Sequence, residues 1–344
     1  LLIILKKIFI MTQKFKHVLV TGGAGYCGSV LVPQMLDIGY RVTVYDIQFY
    51  GFNFLPMGHP NLKVVKGDIR DIEKLELFMV DVDALIHLAC ISNDASFELD
   101  EKLSTSVNMD AFEPMVLAAK KCGIKRFIYA SSSSVYGISE ESDVKEDHPL
   151  VPLTLYNKYK GLCEPILFEN TDENFVGVVF RPATVCGYAP RQRLDVSVNI
   201  LTNLAVNKGF ITVFGGSQLR PNLHIQDYAD LCKILLEAPD EKIANEIFYC
   251  GYENMSIMEI AETVKKIVSE VFKDKKEIGI KITPSDDTRS YHINSDKITD
   301  VLGFKPRFSV EEAVIDLCHA FHNGKLLNSL EDDKYFNVRT MKKI

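Results

Sequence analysis

Tyr156 and Lys160 stand four residues apart, and a run of four serines, Ser131 to Ser134, lies shortly upstream in Ser-Ser-Ser-Ser-Val-Tyr-Gly. On a helix that spacing puts the phenol and the ammonium on one face, about one turn apart. A lysine ammonium there favours the ionised phenol, whose ordinary pKa is ~10, and a serine hydroxyl can bond the same reacting oxygen. Such a set moves a proton on and off an alcohol near neutral pH. The spacing alone is common on solvated helix faces, so its weight comes from what precedes it.

Gly22, Gly25 and Gly28 recur at intervals of three, directly after an apolar strand-like run and at the start of a helical pattern. The first glycine permits the tight turn, the second lets a pyrophosphate approach the backbone, and the third lets helix and sheet pack closely. The helix N-terminus then offers N–H groups and a positive dipole end to phosphates. Asp46 closes the second strand-like run, where its carboxylate can accept both ribose hydroxyls of an adenosine. It would repel a 2′-phosphate and no arginine directly follows it, so NAD(H) is expected over NADP(H). Asp68, after the third run, is placed either at the adenine edge or as a helix N-cap.

The elements that must position these groups follow a regular rhythm. Apolar stretches at 17–21, 41–46, 62–66, 84–89, 126–131 and 175–181 predict strands, and 26–38, 71–80, 101–122 and 156–169 predict the helices between them. Continuous apolar strands separated by helices imply a parallel sheet covered on both faces. After residue 181 the loops lengthen and gather Pro, Gly and Arg, with helices expected at 196–207, 256–272 and 309–323. The expected architecture is α/β: a doubly wound parallel Rossmann sheet (11–182, with returning segments near 223–250) and a smaller C-terminal α/β substrate domain (183–222 and 251–330). Residues 331–344 are polar and read as a tail or a closing flap. Residues 1–10 read as an upstream extension before Met11, with a weak membrane-surface segment as the alternative.

The chain has 344 residues, 47% hydrophobic and 25% charged, the composition of a globular protein with room for two cores. A net charge of −7 argues against a dominant nucleic-acid role while leaving room for a local anion site. Eight scattered cysteines lack metal-ligand spacing and fall mostly in apolar runs, as reduced core thiols of a cytoplasmic protein would. No metal site and no membrane span are expected.

Taken in order, Thr21–Gly28, Asp46, Gly67-Asp68, His87–Cys90, Asn108, Ser131–Gly137, Tyr156–Lys160, Arg181-Pro182 and Arg220, His224 and Asp227 resemble the extended short-chain dehydrogenase/reductases. Within them the chain is similar to the NAD-dependent nucleotide-sugar epimerase/dehydratase family, in its UDP-glucose 4-epimerase-like branch, over residues 16–320. The resemblance implies a tightly held NAD that removes hydride from a sugar carbon, usually C4, while Tyr156 takes the hydroxyl proton. Lys160 would bind the nicotinamide ribose and hold down the tyrosine pKa, and Ser132 would be the catalytic serine. Tyr26, Cys27, Ile69, Leu88 and Ala89 join the glycines, Asp46 and Asp68 on the cofactor side.

Two departures from the family pattern narrow the chemistry. The Asp-Glu pair of the sugar 4,6-dehydratases is replaced by Ser133 and Ser134, whose hydroxyls are too weakly acidic for water elimination. The reactive cysteine of the 3,5-epimerase-reductases is missing at Ser134. A third departure, Thr184 in place of the usual sugar-contacting Asn, bears on the substrate. Ser133 and Thr184 are assigned to substrate. Arg220, with Arg289 as its partner, is the expected diphosphate ligand, and Arg191 and Arg193 are placed at the nucleotide or the sugar. His224 and Asp227 read as a cap and a brace, and Cys186 as a packed thiol.

The expected activity is NAD-dependent C4 epimerisation of a nucleotide-diphosphate sugar through a 4-keto intermediate. The alternative is a C4 dehydrogenase or 4-ketoreductase on a hexose or heptose. A non-catalytic dinucleotide sensor is disfavoured because both Tyr156 and Lys160 are present. The resemblance also implies a homodimer through helices near 101–122 and 156–169.

Overall fold

Strand β1 (His17–Thr21) has every residue buried, which fits a central position in a sheet covered on both faces. The computed structural model describes residues 13–139, 141, 143–273, 277–285 and 290–344. The segment 1–10 and Arg289 lie outside the described residues. After β1 come β2 (Arg41–Asp46), β3 (Leu62–Lys66), β4 (Ala84–His87), β5 (Arg126–Ala130) and β6 (Val176–Pro182). Beyond β6 lie β7 (Thr184–Cys186), β8 (Phe210–Phe214), β9 (Leu219–His224), β10 (Glu246–Cys250), β11 (Glu253–Ser256) and β12 (Gly279–Thr283).

Seven strands form one sheet in the order β10-β6-β5-β4-β1-β2-β3, parallel throughout. The chain winds outward in one direction from β1 to β3, then restarts on the other side at β4. That reversal between β1 and β4 opens a crevice beyond the carboxyl ends of the strands. Two apolar layers flank the sheet, one containing Val18, Val20 and Phe180, the other Leu19, Tyr129 and Val179. The alternation of neighbours along β1 between them is the pleat expressed as burial.

The helices that matter for the site are α1 (Gly28–Asp37), α2 (Phe112–Lys121), α3 (Leu155–Glu169), α4 (Ser197–Lys208) and α5 (Ile225–Glu237). Further on come α6 (Ile257–Val271), α7 (Val310–His322) and α8 (Asn337–Met341). The helix expected as one piece over 101–122 is broken: Glu101–Thr105 is α-helical, Ser106–Asp110 is a π-turn, and α2 follows. The wider turn carries Asn108 inward, where its amide accepts from Ile91 N–H (2.8 Å) and donates to Ile91 C=O (2.9 Å). This side chain thereby pins the loop after β4, and the extra residue in the turn is the geometric means.

Downstream of β6 a three-stranded sheet (β11-β9-β7) and the parallel pair β12-β8 carry α4, α6 and α7, whose apolar faces share a separate core including Val198, Ile211, Val264 and Val314. Helices α6 and α7 each begin with a capping box, Ser256/Glu259 and Ser309/Glu312. Residues 331–344 are not a loose end in this structure. Tyr335 and Phe336 are buried against Leu194, Leu317, Ala320 and Leu326, and α8 follows them. Among the described residues no helix is long and apolar enough to cross a membrane.

Candidate active site

A cleft of about 540 Å³ runs along the carboxyl ends of the central strands. Every cofactor, catalytic and substrate candidate named from the sequence lines it, apart from Arg289, which lies outside the described residues.

At the β1 end the glycines are forced by contact. Gly22 has φ +73°, and a Cβ there would stand 2.6 Å from Ala89 N of the facing loop. A Cβ on Gly28 would meet Gly23 O at 2.3 Å, so the first turn of α1 packs on the loop only as glycine. Asp46 accepts from Ala24 N–H (3.0 Å) on one oxygen and from Gln48 N–H (2.7 Å) on the other. Burial pushes its carboxyl up, while those two N–H groups and Arg191 pull it back down. Each oxygen keeps a further lone pair, as a ribose diol requires. Asp68 is paired with Arg70, whose hydrogen bonds hold its carboxyl below the usual range. The N-cap alternative for Asp68 falls to Asp71, which accepts from Lys74 N–H and starts helix Ile72–Glu76.

Tyr26 and Cys27 line the same turn, with their side chains committed inward. The Tyr26 hydroxyl donates to Gly187 C=O (2.7 Å) and accepts from Asn199 (3.0 Å), stitching the glycine turn to the second half of the chain. Burial pushes the Cys27 thiol up to about 12 and raises Cys186 further, so both are packed thiols.

At the middle of the cleft the serines separate by role. Ser131 Oγ donates to Glu164 (2.6 Å), and that carboxylate takes Arg181 through two bonds of 2.9 and 2.6 Å, all buried. Ser131 is therefore bound into the interior. Ser132 Oγ lies 2.8 Å from Ser134 Oγ, which donates to Asn157 Oδ1 (2.5 Å). Asn157 Nδ2 is buried, has no partner among the described residues, and belongs to the cleft wall.

Tyr156 and Lys160 lie on α3, which Thr154 caps by accepting from Asn157 N–H (3.3 Å). Lys160 is buried, donates to Ala130 C=O (2.7 Å) and sits 5.0 Å from the Tyr129 ring centre. Burial raises the Tyr156 hydroxyl, Cys90 and Asp94 add to the rise, and the groups pulling it down are Arg193 and the Asn93 N–H. His87 lies beneath, bonded to Thr21 (2.7 Å) and lowered to about 3 by burial and then by Lys160. The His87 ring is therefore neutral near neutral pH.

Arg220 on β9, Thr184 on β7, and Arg191 and Arg193 in the loop before α4 also line the cleft. Arg220 donates to Leu219 C=O (2.9 Å) and lies 5.5 Å from the Tyr291 ring centre. Arg193 pairs with Asp195 at 2.6 Å. Arg191 lies face-on to Tyr50, 3.6 Å from the ring centre, and donates to Asn337 (2.6 Å). His224 caps α5 by accepting from Gln226 N–H, and Asp227 braces the backbone of Arg307 and Phe308. Tyr50, Asn93 and Asn337 belong to no spaced motif, and Asn157 lies inside Tyr156–Lys160 without being one of its two spaced positions, so none of the four was legible as a site residue. The aromatic pair at 335–336 in an otherwise polar tail was the one available sign that this segment docks.

Sequence comparison places this arrangement. A sequence description of the NAD dependent epimerase/dehydratase family matches residues 18–251. The chain belongs to that family. Agl12 of Haloferax volcanii, a low-salt glycan biosynthesis protein, is 28% identical over 316 residues, spanning 89% of this chain and 98% of the relative. UDP-glucose 4-epimerase of Azospirillum brasilense is 26% identical over 331 residues, spanning 88% and 91%. The solved structure of UDP-N-acetylglucosamine 4-epimerase from Methanobrevibacter ruminantium M1, in complex with UDP-N-acetylmuramic acid, superposes with a TM-score of 0.80. It is 25% identical and covers 90% of this chain and 99% of that one.

The residues present fit the dinucleotide of this epimerase/dehydratase family. A cradle that any Cβ at Gly22 or Gly28 would fill stands beside a buried acid with oxygens turned to the cleft. NAD, when bound, supplies a hydride acceptor and donor. Asp46 would be the acceptor for a ribose diol, and Lys160 and Tyr156 stand in the same cleft.

Proposed function

We propose that this protein epimerises a nucleotide-diphosphate sugar at C4, with NAD retained through the cycle. The observation that carries the reading is that one cleft gathers three sets of groups: the glycine turn with Asp46, Tyr156 with Lys160 and Ser132, and the arginines Arg193 and Arg220. A nucleotide sugar lying in that cleft would bring a ring hydroxyl to Tyr156 and its diphosphate to arginine, a matched pairing for phosphate oxygens.

Tyr156 takes the C4 hydroxyl proton, Ser132 donates to the same oxygen, and NAD would be the acceptor of the C4 hydride. Once the 4-keto sugar has turned in the cleft, the same hydride would be returned to the opposite face of C4, and Tyr156 gives the proton back to the product oxygen. The serine pair at 133 and 134 offers no carboxyl acid or base, so elimination does not compete. Asn157 Nδ2, buried without a partner, is a donor suited to a further sugar oxygen. The 4-epimerases among the similar proteins support this reading over a net C4 dehydrogenase or 4-ketoreductase.

The assembly we propose is a cytoplasmic homodimer through α2 and α3. Leu117 and Leu162, large apolar side chains on those two helices, are 48% and 42% exposed, as an apolar face awaiting a second copy would be.

The test is a panel of nucleotide hexoses incubated with purified protein and no added cofactor, read by NMR. Interconversion of a C4 pair at stoichiometric bound NAD supports epimerisation. Turnover that needs added NAD and stops at the ketone would replace it with the dehydrogenase reading.

A further inference from the structure

Arg191 is only 2% exposed, yet it lines the cleft and carries a charge that its neighbours do not fully meet. Its backbone N–H donates to Ser29 Oγ (3.2 Å) in the first turn of α1, and Gly187, four residues earlier, accepts from Tyr26. The loop therefore docks on the first turn of α1, a ten-residue helix, and the Arg191 side chain lines the same cleft as the glycine turn and the positive end of that helix. One face of that guanidinium is covered by Tyr50, Nη2 is taken by Asn337, and Nε has no partner among the described residues. Asp46 and Asp195 are the nearby acids, but Asp46 already accepts two backbone N–H groups and Asp195 accepts from Arg193 and from Asn337 N–H (2.7 Å). Two positive sources facing one space are stable together when an anion lies between them.

We propose that Arg191 is a ligand of the cofactor diphosphate, and that Asn337 in the carboxy-terminal segment is the positioning residue that holds it there. This rests on the assignment of the glycine-turn end of the cleft to NAD. Burial lowers Arg191 to about 10, with Arg193 adding to the drop and Tyr50, Asp195 and Asp46 opposing it. Asn337 does more than accept from Arg191. Its Nδ2 donates to Ser92 Oγ (2.8 Å) in the loop after β4, and its backbone N–H donates to Asp195. One residue thus ties the loop after β4 to the arginine loop, while Tyr335 and Phe336 anchor it in their own apolar pocket. The segment is a clasp across the cofactor end of the cleft, and it makes NAD slow to leave, as a recycling epimerase requires.

The experiment uses purified holoprotein and counts NAD⁺ as it leaves, trapped by excess alcohol dehydrogenase and ethanol and read by absorbance. Arg191→Met is expected to release NAD about tenfold faster or more, the effect of one lost charge-assisted bond. Asn337→Ala is expected to speed release severalfold, while Asn337→Asp, which keeps an acceptor for Arg191 and can accept from the Ser92 hydroxyl, stays near wild type. A purely structural role for Asn337 would instead lower the Tm of both variants together and leave release unchanged. Wild-type release rates in Arg191→Met and Asn337→Ala overturn the proposal. Should Arg191→Met fail to fold, Asn337→Ala against Asn337→Asp decides it, with equal rates overturning it. Slow, Arg191-dependent release from a protein that interconverts no nucleotide sugar would sink the epimerase reading and leave this one standing.

Discussion

Tyr156 sits in a cleft whose burial raises its hydroxyl, and Arg193 is a cation that opposes that rise. Lys160 Nζ donates one bond to the Ala130 carbonyl and keeps two further donors. If the tyrosine acts as its anion, activity climbs with pH through the tyrosine pKa. Removing a cation raises that pKa further, so Arg193→Met is expected to move the rising limb of kcat to higher pH. An unmoved limb would take Arg193 out of the proton chemistry. Tyr156→Phe removes the base itself and is expected to lower kcat by about a hundred- to ten-thousand-fold while bound NAD stays at wild-type stoichiometry. Full activity in that variant would exclude Tyr156 as the proton acceptor.

The elements hold these groups through contacts that are buried and specific. Helix α3 is fixed beneath the site by Glu164, which receives Ser131 and both arms of Arg181 in a dry environment. Removing one partner of such a pair strands a buried charge, so Glu164→Ala is expected to cost about 3–5 kcal/mol in chemical denaturation. A loss under about 1 kcal/mol would mean that water reaches Arg181 freely. The same logic applies to the turn before α1. Gly28→Ala drives a Cβ against the Gly23 carbonyl, and α1 must shift from the loop that cradles phosphate. The expected result is weaker NAD retention, measured on the purified protein.

At the scale of the molecule, two cores meet along the cleft, and buried polar contacts help to tie the two halves of the chain together. Tyr26 reaches Gly187 and Asn199, and Asn337 reaches Ser92, Asp195 and Arg191. The exposed leucines of α2 and α3 lie away from those contacts. Leu162→Glu is expected to shift sedimentation from dimer to monomer, since a carboxylate buried in an apolar interface is costly. A protein that sediments as a monomer before any substitution would remove the dimer from the account.

What the sequence determined by itself is whatever depends on local pattern. Apolar strand-length runs alternating with helical ones are enough to specify a covered parallel sheet. The glycine triplet and Asp46 were readable because each function needs a fixed residue type at a fixed offset from a strand. Tyr156 and Lys160 were readable because helical geometry converts a spacing of four into a shared face. Local pattern failed where the deciding contact lies far along the chain. The π-turn at 106–110 exists because Asn108 must meet Ile91, and no propensity encodes that meeting. Ser131 and Ser132 look alike in sequence, and only Glu164 from another element separates them. Asn337 joins the cleft from a polar terminal stretch because Tyr335 and Phe336 find a pocket built by Leu194, Leu317 and Leu326. Periodicity is a property of neighbours in the chain, whereas burial, pKa and the partner of a charge are properties of neighbours in space, and those only the tertiary structure decided.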